Sequence, residues 1–136
     1  MPYSERALVA IISAQAGADL SAKQFYAVSV VNDTSQPVPG VHMMTTGAGK
    51  ACTGILQDNP VSGQAGGIQV QGITPAAISA NQVVTAGATQ LEVGTGGTLI
   101  PQNSGTPVAL ALETLASNAS IAIITVMLLP GTAVQS

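Results

Sequence analysis

The sequence is poor in charge and in aromatic side chains. Only 7% of its 136 residues are charged and 2% are aromatic, whereas about a quarter of the residues in ordinary globular proteins are charged. The three basic residues, Arg6, Lys23 and Lys50, lie far apart in the sequence. Because binding to the phosphate backbone of DNA or RNA needs several clustered cations, the composition argues against a nucleic-acid partner.

Long apolar runs are also missing. The longest, Ile121 to Leu129, is far shorter than the roughly 18 to 20 residues of a membrane helix and contains Thr125. We therefore expect no interaction with a membrane. The mean hydropathy of +0.45 is nevertheless too high for a disordered chain. A folded chain with so few charges has trouble covering its surface, and subunit interfaces resemble a divided core, so the composition predicts a homo-oligomer.

Groups for catalysis and metal binding are scarce. His42 and Cys52 are the only histidine and cysteine, so a Ser-His-Asp triad could form only around His42, and the two together are too few ligands for structural zinc. The segment Gly47 to Lys50 resembles a phosphate-binding loop but has Met44 and Ala51 where that motif needs glycine and serine or threonine. We predict that the protein is not an enzyme and has no metal or cofactor.

The sequence does contain an internal repeat. The segment Leu20 to Gln24 (LSAKQ) returns as Ile78 to Gln82 (ISANQ). Gly54 to Gln57 has a counterpart in Ala109 to Glu113, and a strand-like run follows each. Such self-similarity predicts two related halves within one β domain. The domain spans residues 7–136, and its halves are about residues 18–73 and 76–129.

Short β-branched segments separated by glycine and proline predict an all-β fold, a small barrel or sandwich. A turn at Gly47 to Lys50 is expected to join two of the strands as a hairpin. The predicted strands are 7–13, 24–31, 41–46, 51–57, 68–73, 83–85, 90–93, 108–112 and 121–129.

One segment has two readings. Thr106 could cap a helix with Pro107 at its first position, and the helix would then continue to Leu115. The correspondence with Gly54 to Gln57 favours a strand instead. A short helix here would leave the fold class unchanged.

The run Ile121 to Leu129 is apolar on both faces of a strand. This pattern is typical of a central strand or of one buried at a subunit contact. We therefore predict that its large side chains lie in the core or at an oligomer contact. These residues are Ile121, Ile123, Ile124, Val126 and Leu128.

Several segments, in order, are similar to a known family. Ala18 to Val28 (ADLSAKQFYAV) resembles the opening of the capsid decoration, or cement, proteins of tailed phages, of the DUF2190 type. The resemblance continues through Gly54 to Pro60, Gly63 to Ala65 and Gly72 to Thr74, and covers about residues 7–129. The chain departs from the family pattern at Asn32 to Pro39, where a shorter hairpin is typical.

The resemblance implies a β-tulip-like fold and a structural role in the virion. It implies a homotrimer, made in the host cytoplasm, that binds the major capsid protein on the outer surface of the phage head and stabilises the shell. An extended N-terminal arm, residues 1–6, would bind the capsid by adding a strand to an exposed sheet of the shell; a frayed terminus is the alternative. The residues of this arm are Pro2, Tyr3, Ser4, Glu5 and Arg6.

A second function class stays open on the residues alone. Polar loops such as Gly94 to Thr98 could serve a barrel that binds a small ligand or a glycan. Sugar binding favours stacking on tryptophan or tyrosine, and Tyr3, Tyr26 and Phe25 are the only aromatic residues. Composition therefore favours the structural role.

Overall fold

The computed structural model describes residues 10–33, 40–48, 52–103, 105–117 and 119–129. Within these ranges the chain forms ten β-strands and one short 3-10 turn, which confirms the predicted all-β class. No helix in these ranges is long and apolar enough to cross a membrane. The strands are β1 Ala10–Ala16, β2 Ala27–Asp33, β3 Gly40–Thr45, β4 Gly54–Leu56, β5 Ala65–Gln71, β6 Ile73–Ile78, β7 Gln90–Val93, β8 Leu99–Pro101, β9 Ala109–Ala111 and β10 Ala122–Leu128.

The strands close into two rings of five, which give the small barrel or sandwich expected from the sequence. The first ring has the order β1-β3-β2-β4-β5 and the second has the order β6-β8-β7-β9-β10. In each ring the first and third strands pair in parallel, and all other neighbours are antiparallel. Gly72, with a φ of +101°, joins the rings in a backbone conformation that glycine adopts without strain.

Equivalent carboxylates make equivalent hydrogen bonds in the two rings. Asp58, which follows β4, accepts a bond of 2.7 Å from the backbone N–H of Gly67 in β5. Glu113, which follows β9, accepts one of 2.6 Å from the backbone N–H of Thr125 in β10. The rings therefore share local detail as well as strand order. The halves expected from the sequence begin in or after the first strand of each ring, because the similarity is strongest in the turn that follows that strand.

The interior consists of two clusters of buried apolar side chains. Alternate residues of a strand point to opposite faces, so Val28 points into the first ring while its neighbour Ala27 points out of it. The cluster inside the first ring is formed by Ala16, Leu20, Val28, Leu56 and Ile68. The larger cluster belongs to the second ring but also contains three residues of the first, Ala27, Cys52 and Ile55.

The first ring therefore packs its outer face against the second ring. Ile55 is completely buried at this contact, which is worth about 1.5 to 3 kcal/mol for a side chain of its size. A polar bond lies beside it, because the Gln57 Nε2 atom donates to the Thr74 hydroxyl at 2.9 Å. The two rings thus form one packed unit.

The hairpin predicted at Gly47 to Lys50 is wrong. The strands β3 and β4, on either side of it, are not paired with each other, because β2 lies between them and pairs with both. With β2 between them, β3 and β4 cannot form a hairpin. Turn residues indicate a change of direction but do not determine which strand the chain will pair with next.

Two strands were not predicted, β6 and β8. Pro75 lies inside β6, opposite Thr125 of β10. The N–H and C=O of Thr125 bond to Glu113 and Leu112, away from β6. The pair is thus a non-hydrogen-bonded one, in which the missing N–H of proline removes no ladder bond. Conversely, residues 83–85, which we predicted as a strand, contribute only an isolated bridge between Val84 and Leu115.

The structure also decides between strand and helix near residue 110. Ala109–Ala111 is a strand paired on one side with β7 and on the other with β10. The strand that the correspondence with Gly54 to Gln57 favours is confirmed, and the alternative helix capped by Thr106 does not form, although alanine and leucine favour one. Pairing on both sides overrides the local propensity.

Candidate functional site

In the described ranges, acidic side chains accept hydrogen bonds from backbone N–H groups. Asp19 accepts a bond of 3.0 Å from the Ser21 N–H, and the Ser21 hydrogen bonds lower the pKa of this carboxyl. Glu92 Oε1 accepts from the N–H groups of Asn103 at 2.9 Å and Gly105 at 2.7 Å. Asp58 and Glu113 likewise accept from backbone N–H groups, those of Gly67 and Thr125.

The histidine and the cysteine both lie in the first ring, in parts that β2 separates. His42 is in the middle of β3, and Cys52 precedes β4 and is buried. Where the chain is described, no group of three histidine, cysteine, aspartate or glutamate side chains could hold a metal ion.

Burial raises the pKa of the Cys52 thiol from its usual 9.0 to about 12. Because the thiolate is the reactive form, native protein at pH 8 should react with iodoacetamide at least about a hundredfold more slowly than urea-unfolded protein. Because the folded protein keeps this thiol protonated, the contribution of Cys52 to the free energy of unfolding is fully present below pH 9 and is lost as the pH rises from there towards 12. Alkylation followed by mass spectrometry, with a cysteine peptide as control for urea, checks this; equal rates would contradict the burial.

A shallow depression lies beside the turn that follows β4. It is lined by Asp58, Asn59, Pro60, Gln64 and Ala65. Two of its polar groups are already engaged, since Asp58 accepts from the Gly67 N–H and Gln64 Oε1 accepts from the Val61 N–H at 2.9 Å. The depression has no aromatic side chain and is a poor site for a sugar.

The strongest candidate site is an exposed apolar surface on the second ring. Met127 of β10 lies opposite Ile73 of β6 on one side and Leu110 of β9 on the other. Ile73 is 57% exposed and Met127 is 37% exposed, while Leu110 is half-buried. We call this surface, formed by Ile73, Leu110, Leu112, Ile123 and Met127, the second-ring face. Apolar patches that cross several strands are typical of surfaces that bind other proteins.

The first ring carries a smaller exposed apolar patch on β1. Ile11 and Ile12 are both exposed at the start of β1, next to β5. As neighbours in a strand they point to opposite faces: Ile12, opposite Ile68, points into the ring, and Ile11 points out of it. We call these two residues the β1 patch.

The predicted core strand splits between two environments. Ile124, Val126 and Leu128 are buried in the second ring, whereas Ile121 and Ile123 are exposed. The arm residues Pro2 to Arg6 lie outside the described residues.

The sequence did not indicate that Ile73, Leu110 and Met127 share one face. Recognition of β6 as a strand would have provided that signal, because the alternation of its residues places Ile73 outward.

Comparison with known proteins gives a likeness in structure alone. No protein-family model and no curated protein sequence matches the chain. Among solved structures the chain is similar to "The crystal structure of head fiber gp8.5 N base in bacteriophage phi29", with a TM-score of 0.62 and 11% sequence identity. The alignment covers 89% of this chain and 94% of that chain. At this identity the likeness shows a shared fold.

Proposed function

We propose that the protein is a structural component of a phage virion. It binds the major capsid protein on the outer surface of the head as a homo-oligomer, a trimer, and stabilises the shell. The observation that carries this proposal is the likeness in fold, over 89% of the chain, to the base of a phage head fibre.

Two properties of the molecule support a binding role over a chemical one. The carboxylates whose bonds are described accept from backbone N–H groups of neighbouring segments, as Glu92 and Glu113 do. The second-ring face is apolar and spans three neighbouring strands, which suits contact with another protein more than capture of a small molecule. Such a protein acts by adhesion.

The proposal is tested by mixing purified protein with capsids that lack it. We expect an oligomer that co-sediments with capsids at a saturating, symmetry-related stoichiometry and raises the temperature at which they release DNA. Several modest contacts made by one oligomer add through effective concentration, so monomeric variants should bind far more weakly. Protein that stays in the supernatant would exclude the capsid role and redirect the search to small ligands and glycans.

Deletion of residues 2–6 tests the arm as the capsid-binding element. We expect capsid binding to fall below detection while the circular dichroism spectrum and the mass in solution stay unchanged, because strand addition relies on the backbone of those residues. As a control, replacement of Tyr3 to Arg6 by threonines keeps the backbone and should preserve binding. Full binding by the deletion variant would show that the arm is a frayed terminus.

A further inference from the structure

The packing of the two rings inside one chain indicates what covers the second-ring face. Ile55 of the first ring is flanked by Ala27 on one side and Gln69 on the other. The topologically equivalent residue of the second ring is Leu110, flanked by Gln90 and Met127. The second-ring face is therefore the counterpart of the outer face by which the first ring packs inside the chain.

Backbone hydrogen bonds support this equivalence. The Gln57 N–H donates to the Gly67 carbonyl at 2.8 Å, and the Leu112 N–H donates to the Thr125 carbonyl at 2.9 Å. Leu112 thus occupies in the second ring the position that Gln57 has in the first.

Equivalent residues differ sharply in exposure. Gln69 is only 5% exposed because the second ring covers it, whereas its counterpart Met127 is 37% exposed. Ile55 is fully buried, whereas Leu110 is only half-buried. One of the two equivalent faces is thus covered within the chain and the other is not.

The receiving side of the contact is duplicated in the same way. Within the chain, Gln69 Nε2 donates to the Ile73 carbonyl at 2.9 Å, and Gln57 Nε2 donates to the Thr74 hydroxyl at 2.9 Å. By strand pairing, the first-ring counterparts of Ile73 and Thr74 are Ile11 and Ile12. These two residues form the exposed β1 patch.

The chemistry of the two uncovered patches is matched. The covered contact pairs two polar residues, Gln57 and Thr74. At the equivalent positions of the uncovered patches both partners are apolar, Leu112 and Ile12. A contact between these patches would bury apolar groups on both sides, each about 25 cal/mol per Å² of area removed from water.

We propose that the second-ring face of one copy packs on the β1 patch of a second copy of this chain, repeating between copies the contact that joins the rings within each copy. The contact is head-to-tail, because the two copies use different surfaces. It gives a closed cyclic oligomer if the rotation from one copy to the next divides a full turn evenly. In a trimer, six β rings would follow one another around the axis. This inference rests on the oligomer in the proposed function and is independent of capsid binding.

Met127→Glu and its matched control test the face. The variant places a charge at the centre of the proposed interface, while Val83→Glu places one at an apolar residue that is 62% exposed and lies outside it. Light scattering is measured at a protein concentration a hundredfold above that at which the wild-type oligomer dissociates. We expect an oligomer for wild-type protein and for Val83→Glu. We expect a monomer with a wild-type circular dichroism spectrum for Met127→Glu. A monomeric wild type, or an oligomeric Met127→Glu, overturns the inference.

Cross-linking keeps the inference testable if Met127→Glu fails to fold. Coexpressed chains carrying either Ile12→Cys or Leu112→Cys should be joined by a short bis-maleimide, because these positions match Thr74 and Gln57. Chains carrying only Leu112→Cys should remain unlinked, and buried Cys52 should not react. Links within the Leu112→Cys protein alone would show a face-to-face contact and overturn the proposal, as would the absence of links in the mixture.

Capsid sedimentation of the same variants separates this inference from the proposed function. A cross-linked head-to-tail oligomer that ignores capsids supports the interface and removes the virion role. An oligomeric Met127→Glu that no longer binds capsids overturns the interface, because the face would then belong to the capsid contact.

Discussion

Replacement of Gly54 by alanine is expected to unfold the first ring at temperatures at which the wild-type protein is folded. A Cβ atom at this position would lie 2.3 Å from the backbone carbonyl oxygen of Gln69 and 2.8 Å from Cγ2 of Ile68. Backbone cannot rotate away as a flexible side chain can, so β4 and β5 must separate. We expect a loss of about 3 kcal/mol or more, and a fall in melting temperature on the order of 10 °C.

Gly47→Ala is the matched control for this prediction. A Cβ atom at Gly47 meets nothing within 4 Å, and its backbone φ is not positive. The substitution should leave the melting temperature unchanged or raise it slightly, since alanine reduces the freedom of the unfolded chain. Thermal unfolding followed by circular dichroism compares the two; an equal effect of both would reject the close approach of β4 to β5.

Ile124→Lys is expected to prevent folding of the second ring. The Ile124 side chain is 5% exposed and belongs to the larger core cluster. A lysine there must bury its charge without a partner or become neutral through a lowered pKa, and both outcomes oppose folding. The cost of about 4 kcal/mol or more is a large share of the 5 to 15 kcal/mol that stabilises a domain. The expected outcome is unfolding, not dissociation of a folded subunit.

The neighbouring residue provides a control with the same change of side chain. Ile123 is 50% exposed and points outward from the same strand. At a concentration low enough for both proteins to be monomeric, Ile123→Lys should therefore unfold at the same urea concentration as wild type. Because Ile123 belongs to the second-ring face, its variant should differ from wild type in the mass in solution. A folded Ile124→Lys protein would contradict the inward orientation of this side chain.

The sequence predicted strands best where the residues alternate or form a long apolar run. The strand Gln90–Val93 was predicted to the residue and Ala122–Leu128 within one residue at each end. The first strand continues to Ala16, three residues past its predicted end at Ser13, because the alanines there give no stop signal. β6 was missed because Pro75 argues against a strand unless its partner is known.

Neighbour relations were beyond the reach of local patterns. Nothing in the residues near Met127 indicates that Ile73 and Leu110 lie on either side of it, since the three are far apart in the sequence. The same holds for β2, which enters between β3 and β4 and removes the predicted hairpin. These features depend on long-range pairing, which is decided by the best burial of the whole set of strands.

The connectivity of the strands also determines the order in which the two rings can fold during synthesis. Each ring is completed by its first and last strands, β1 with β5 and β6 with β10, so neither can be complete until its final strand has left the ribosome. Because synthesis starts at the N-terminus, the first ring has all its strands while the second half is still being made. The first ring can therefore fold first. Until the second ring forms, Ala27, Cys52 and Ile55 face water. The nascent chain therefore passes through an adhesive state, and the pace of translation decides how long it lasts.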